Sequence, residues 1–458
     1  MSVEELEHFR LKSMDQGQFT GTFIAVHAVR DGFLMMHCGV GCKHKATSQL
    51  SEHDLGRSAE HEGWTEVGDA ELIEGSAHRI GPYLRSWYDR MKPGLIIANS
   101  VTFLDLTGDD LRHEVAEAAK GIPCPVHFVK VPGYEGDLFS GYAAVVLAVA
   151  RGLDWSGDPG PKTAVTIAGH FFDRYEGDQA GNLAQLGTLL KSIGCTLQST
   201  LFGGSRYADL VRAPEAGTVL AFPVIHPQLR RLKRWTKREP VVVDLPMGLD
   251  GTSAWLRTVG RATGADSERV ERVIAAQRER TLQRLRPSNV LLNGLRVAVM
   301  CDLPHAVGVL HVLRDLGCTP AVVGLRGHTL GGEAELRAAA ERTGLVIDPG
   351  LVILENPSIH RVRTEVQRRL EGGRLDAIIG SSTDINAIAT LEPTTAIHID
   401  HGGAWTGSGP KGGEFGFPCR TYHVVRASPT FGFAGVLGWA DRLVNAPRLW
   451  DTWRNQPT

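Results

Sequence analysis

The chain has 458 residues, of which 42% are apolar and 22% charged, and its formal net charge is −2. That length supports two or three domains with real cores, and the near-neutral balance removes the electrostatic case for a nucleic-acid or anionic-membrane partner. No apolar stretch has the length of a membrane span. The opening Met1-Ser2-Val3-Glu4-Glu5-Leu6-Glu7 is acidic and has no signal-peptide core, so a cytoplasmic protein is expected. In that compartment seven scattered cysteines do not suggest a disulfide framework.

Taken in chain order, the pattern alternates strand and helix. Phe33-Leu34-Met35-Met36 reads as a buried strand and runs into His37-Cys38-Gly39-Val40-Gly41-Cys42. Gly94-Leu95-Ile96-Ile97-Ala98-Asn99-Ser100 is the next strand, followed by Gly108-Asp109-Asp110-Leu111 and a helix. Pro125-Val126-His127-Phe128-Val129 is another strand, with Gly141-Tyr142 beyond it. Val165-Thr166-Ile167-Ala168-Gly169 leads to a helix over Asn182 to Ile193. A charged helix from Ser267 to Leu285 is expected to join the middle and last domains. Val297-Ala298-Val299-Met300-Cys301 precedes a helix from His305 to Leu316, and Leu351-Val352-Ile353-Leu354 one over Arg361 to Leu370. Ala377-Ile378-Ile379-Gly380 starts a further strand. Such alternation predicts an α/β protein of open parallel sheets with right-handed crossovers. Ligands in such sheets bind beyond the carboxyl ends of the strands. The expected domains are residues 1–160, 161–290 and 291–458.

The two thiols of Cys38 and Cys42 lie among glycines where the first strand ends. Glycine clears the backbone for a bulky group, and thiolates are soft ligands for iron–sulfur clusters and zinc. Buried cysteines are also ordinary small hydrophobes. His37 is either a donor to a cluster sulfur, tuning its potential, or a satisfied core group. Cys124, Cys195 and Cys318 stand where helices give way to strands and read as structural. Cys301, at a strand end, and Cys419 are candidate pocket residues, as are His398, Asp400 and His401 before Gly402-Gly403. The run Arg230-Arg231-Leu232-Lys233-Arg234 reads as a solvated face. No Walker A sequence occurs, so the chain is not expected to hydrolyse ATP, and Gly203-Gly204-Ser205 does not meet the dinucleotide fingerprint.

The ordered series of these motifs continues near the end with Glu414-Phe415-Gly416-Phe417-Pro418, Ser428-Pro429-Thr430-Phe431-Gly432-Phe433-Ala434-Gly435 and Arg442-Leu443-Val444-Asn445-Ala446. From about Gly17 to Asn445 it resembles component 1 of the nitrogenase superfamily, and within it the beta-type subunit. The resemblance implies three Rossmann-like domains around a central cleft. Gln18-Phe19-Thr20-Gly21 matches the segment that follows a cluster cysteine in the family. Gly17 stands in that cysteine's place and Thr102 in the place of a second. Cys42 matches the Gly-Cys ligand, and Cys38 is an additional thiol that would compensate for one missing ligand.

What the resemblance implies about function is a mechanism shared among subunits. A separate ATP-dependent iron–sulfur reductase dimer would dock on an alpha/beta heterodimer, itself paired into a heterotetramer. Electrons would pass one at a time to an iron–sulfur cluster at the subunit interface, either four-iron or larger and P-cluster-like. From there they would reach a small-molecule substrate held mostly by the alpha-type partner. Cys42 and Cys38 would be this chain's metal ligands, with His37 beside them. The matching subunit of dark protochlorophyllide reductase carries aspartate in the Cys42 place and an extra C-terminal domain. Methylthio-alkane reductase, which cleaves C–S bonds, is the leading expectation. A chlorophyllide reductase subunit and a non-catalytic cofactor-assembly scaffold are the alternatives.

Overall fold

A computed structural model describes residues 17–39, 61–100, 104, 108–132, 135–172, 178–371, 375–380 and 429–454, without the side chains of residues 359, 370, 371 and 445–454. Among the described residues its strands form three sheets of four. The first, in the order β2-β1-β3-β4, comprises β1 (Gly32–His37), β2 (Glu62–Trp64), β3 (Leu95–Ser100) and β4 (Val126–Lys130). The second, β6-β5-β7-β8, comprises β5 (Ala164–Ala168), β6 (Thr196–Thr200), β7 (Thr218–Ala221) and β8 (Val241–Val242). The third, β11-β10-β9-β12, comprises β9 (Arg296–Asp302), β10 (Thr319–Arg326), β11 (Val352–Glu355) and β12 (Ala377–Ile379). Every strand pair with a described register is parallel. The α/β architecture of open parallel sheets is therefore the one the alternation predicts. One sheet's strands fall in each of the spans 1–160, 161–290 and 291–458, while the residues group into two compact units, 16–175 with 198–240 and the remainder of the chain.

The first sheet shows why its strands read as unbroken apolar runs. All six positions of β1 and of β3 are buried, because both faces of a parallel sheet are covered. Phe33, Met35, Ile96 and Ala98 pack against α2 (Ile80–Met91) and α3 (Leu111–Ala119) through Ile80, Leu84, Leu111 and Val115. Each such aliphatic side chain contributes about 1.5–3 kcal/mol on burial. The Asp110 carboxylate caps α3 by accepting from the His113 N–H at 3.1 Å. Against β1 and β4 respectively pack α1 (Gln18–His27) and α4 (Leu138–Gly152).

Helices α1 and α4 also cross each other, at two glycines that face one another reciprocally. A Cβ on Gly21 would lie 1.8 Å from the Leu138 carbonyl oxygen, and one on Gly141 would lie 2.0 Å from the Gln18 oxygen. Both motif glycines are thus explained by close approach of two backbones. The adjacent Tyr142 is fully buried. Its hydroxyl lies 3.1 Å from the His170 carbonyl oxygen and accepts from the Phe172 N–H at 3.1 Å. The exposed basic run of this unit lies on α6 (Leu229–Thr236), which turns Leu232 and Thr236 inward.

In the other unit, α5 (Gln179–Ser192) answers to the helix expected over residues 182–193, starting three residues earlier and ending at Ser192, with Ile193 as its C-cap. The Thr430-Phe431 motif is tied to it. Asn182 Oδ1 accepts from the Thr430 N–H at 2.6 Å and the Phe431 N–H at 3.2 Å, and the Thr430 hydroxyl reaches Asp178 Oδ2 at 3.1 Å. Burial pushes the Asp178 carboxyl above its ordinary value. The charged helix is α8 (Ser267–Leu292), following α7 (Leu249–Thr263), and it continues across Pro287 beyond the expected end at Leu285. The buried Leu292 and packing along α12 (Gly432–Arg454) account for the extension. Asp302 caps α9 (Leu303–Asp315) and also holds His305 Nδ1 at 2.8 Å. After α10 (Glu333–Thr343), α11 (Ile359–Glu371) spans the helix read over Arg361 to Leu370.

Candidate functional site

The order β2-β1-β3-β4 contains a topological switch point. From β1 the chain passes to β2 on one side, and from β3 to β4 on the other. In open α/β sheets the binding crevice lies at the carboxyl ends of the two strands flanking that point. Here those ends carry His37 at the close of β1 and Cys38 just after it, and Asn99 and Ser100 at the close of β3. Cys42, Thr102, His398, Asp400, His401 and Cys419 lie outside the described residues.

His37 and Cys38 leave the strand on opposite faces, as consecutive strand residues must. His37 points toward the side of α2 and α3. Its Nδ1 lies 2.9 Å from the Thr65 hydroxyl and its Nε2 lies 2.9 Å from the Ser76 hydroxyl. Ser76 donates to Asp109 Oδ2 through both its hydroxyl and its N–H, each at 3.0 Å. The Ser76 hydroxyl proton is thereby committed to Asp109, so Ser76 Oγ accepts from His37. This assigns the His37 proton to Nε2, and Nδ1 accepts from Thr65. Thr65 Oγ1 in turn accepts the Cys38 N–H at 3.2 Å. A directed chain thus runs from the Cys38 backbone through Thr65, His37 and Ser76 to Asp109 of the Gly-Asp-Asp motif. Arg79 braces it, donating to the Thr65 carbonyl at 2.8 Å and pairing with Glu71 at 2.5 Å.

Burial lowers the His37 pKa to about 4, helped by Arg79 and His78 and opposed by Asp109. The imidazole is neutral at pH 7. The unfolded chain binds a proton near the ordinary histidine value and the native state does not. Stability from this group is therefore complete above about pH 6.5 and lost as the pH falls toward 4. The difference corresponds to about 3 kcal/mol. Thermal unfolding of wild type and His37→Gln from pH 7.5 to 4.5 should show the gap between them closing as the pH falls. A gap constant across that range would contradict the assignment.

Cys38 is buried and continues the ladder, its carbonyl accepting the Val67 N–H at 2.9 Å. It shares its face with Met36, two residues earlier, and Met36 is in register with Asn99. Asn99 is 0% exposed, and neither its Oδ1 nor its Nδ2 has a hydrogen-bond partner among the described residues. Glu62, in register with Leu34, lies on the same face. Burial raises its pKa to about 8, which keeps the carboxyl neutral at pH 7. The crevice edge thus presents a buried thiol and an orphaned amide. That donor set fits a soft metal–sulfur group, because thiolate suits iron and buried amides seek a partner. Gly17, which the resemblance puts in the place of a cysteine, precedes α1, and a Cβ there would meet nothing within 4 Å. Among the described residues no three His, Cys, Asp or Glu side chains gather as a metal site.

The remaining cysteines lie elsewhere. Cys195 donates its S–H to Thr263 Oγ1 at 3.3 Å and Cys318 to the Leu292 carbonyl at 3.4 Å. Burial raises both thiols, Cys318 to about 11, and it raises Cys124 to about 11 as well. Cys301 is buried within β9. Sequence reasoning passed over Thr65, Ser76 and Asn99. Only Asn99 left a signal, as an amide closing an otherwise apolar strand.

Known proteins corroborate the architecture and its lineage. A light-independent protochlorophyllide reductase polypeptide of Acidiphilium rubrum is 24% identical over 59% of this chain and 54% of that protein. The nitrogenase iron-molybdenum cofactor biosynthesis protein NifE of Rhizobium meliloti is 23% identical over 65% of this chain and 64% of its own length. The nitrogenase molybdenum-iron protein beta chain of Rippkaea orientalis is 22% identical over 59% and 56%. The chain therefore spans between half and two thirds of the length of these relatives. The solved structure "Nitrogenase Cp1 at pH 6.5" superposes with a TM-score of 0.74 at 15% identity, covering 97% of this chain and 94% of that one, which shows a shared fold. Nitrogenase component 1 type oxidoreductases match residues 17–447, and the chain belongs to that family.

Proposed function

We propose that this chain is the beta-type subunit of a nitrogenase-like reductase, acting only in a complex with an alpha-type subunit. Cys42 and Cys38 ligate an iron–sulfur cluster shared with that partner, and His37 holds the strand end from the opposite face. The cluster, when bound, supplies one-electron storage between an ATP-dependent iron–sulfur reductase dimer and a small-molecule substrate. The observation that carries this reading is the buried Cys38 thiol at the switch point of the first sheet, in a chain whose family match begins at residue 17. The spans 1–160, 161–290 and 291–458 are the corresponding domains, and the complex is a cytoplasmic heterotetramer.

For the substrate we infer a methylthio-alkane, reduced with cleavage of a C–S bond. The relatives named above keep two other readings in play, a tetrapyrrole reductase subunit and a cofactor-assembly scaffold. The test uses the chain purified with its alpha-type partner and supplied with the reductase, ATP and an electron donor. Release of methanethiol from a volatile methylthio-alkane is expected. Reduction of chlorophyllide instead would move the assignment to the tetrapyrrole branch. Cluster transfer to an acceptor protein with no turnover of either substrate would make the chain a scaffold.

A further inference from the structure

Asn99 is the one strand-end side chain in the first crevice, among the described residues, whose chemistry the fold leaves unused. It is fully buried at the carboxyl end of β3, and both polar atoms of its amide are unpartnered among the described residues. A buried amide without a partner bears the whole desolvation cost and returns nothing to the fold. Its described neighbours show no structural need for it. The register partners Met36 and Val129 are apolar, and Ile97, two residues back on the same face, is too. A leucine of similar volume would serve packing better. Two independent facts aim the amide at one place. Strand alternation puts Asn99 and Cys38 on the same face of adjacent strands, since Cys38 follows Met36 by two residues. The sheet order puts the switch-point crevice between the strands that carry them.

We propose that Asn99 is a positioning residue whose Nδ2–H donates a hydrogen bond to a sulfur of the iron–sulfur group held by Cys38, raising the reduction potential of that group. This rests on the reading of Cys38 as a ligand. The physical reason is charge: reduction adds an electron to the sulfur-bound iron, and a hydrogen bond to sulfur stabilises the more negative form. Cys38 and Asn99 are both fully buried, and away from water one such donor has a large effect. The Glu62 carboxyl on the same face is in register with Leu34, one same-face pair further from the strand end than Asn99.

The experiment compares wild type, Asn99→Leu and Cys38→Ala, each as the complex with the alpha-type partner. Iron content and a redox titration followed by electron paramagnetic resonance are measured, together with thermal unfolding of the iron-free chain. Asn99→Leu is expected to retain its iron, to shift the midpoint potential to a more negative value, and to raise the Tm of the iron-free chain. Asn99→Ser, which keeps a shorter polar group, should shift the potential in the same direction if the leucine variant does not fold. An unchanged midpoint in an iron-replete Asn99 variant overturns the proposal, as does a lower Tm for the iron-free leucine variant. Cys38→Ala separates the two ideas. If it loses iron while Asn99→Leu leaves the potential unmoved, Cys38 stands as a ligand and Asn99 has no part. If Cys38→Ala keeps its iron and spectrum, the ligand reading fails, and the proposal for Asn99 fails with it.

Discussion

With Cys42 as a ligand of the proposed interfacial cluster, Cys42→Ala is expected to strip the complex of iron, or to change the spectrum of what remains, and to abolish electron transfer while the fold persists. A thiolate that bonds iron has no substitute in alanine, and open iron coordination in water loses metal or oxidises. Cys38→Ala is the sharper variant, because the proposed reading has Cys38 compensate for a ligand that the resemblance would place at Gly17. With Cys38 as the compensating ligand, the number of irons per complex falls. With Cys38 as a packed thiol, iron and paramagnetic spectrum stay as in wild type and stability falls by about 1 kcal/mol or less. The structure bears on the choice through burial and place: Cys38 is fully buried at the strand end beside the switch point, and that end is fixed on the opposite face by Thr65, His37 and Ser76. Iron analysis of the two variants, purified with the partner subunit, decides between the outcomes.

Gly141→Ala is expected to have the second-largest effect, and it acts through the fold alone. The added carbon would lie 2.0 Å from the Gln18 oxygen, and its counterpart on Gly21 1.8 Å from the Leu138 oxygen. Both obstacles are backbone, so relief requires α1 and α4 to separate. Overpacking of this kind costs about 1–3 kcal/mol and sometimes more, and separation would also uncover the apolar surface between the helices. The control is Gly187→Ala on α5, where a Cβ meets nothing within 4 Å. There the helix gains about 0.5–1 kcal/mol from the exchange. Denaturant unfolding of the two variants should therefore move in opposite directions. Equal or favourable shifts in both would show that the crossing is looser than the structure places it.

Much of this protein could be read from order along the chain. The alternation of apolar runs with helical segments was sufficient for open parallel sheets, because buried parallel strands must be apolar on both faces. The motif series from residue 17 onward was sufficient for the lineage, and it singled out the strand end at His37 and Cys38. These signals are local, so a sequence displays them. Partnership between distant segments is not local. Only the tertiary structure showed that Asp109 of one motif anchors the strand end of another through Ser76 and His37, with 72 and 39 residues separating His37 from Asp109 and Ser76 along the chain. Gly21 and Gly141 read as separate motif glycines until the helices carrying them were seen to touch. Asn99 carries no message in its own strand beyond a polar end. Its meaning depends on register with Met36 and on the strand order that puts Cys38 across the same crevice. Register and strand order arise from how the sheet closes in space, and a linear pattern of apolar and polar residues is compatible with several of each.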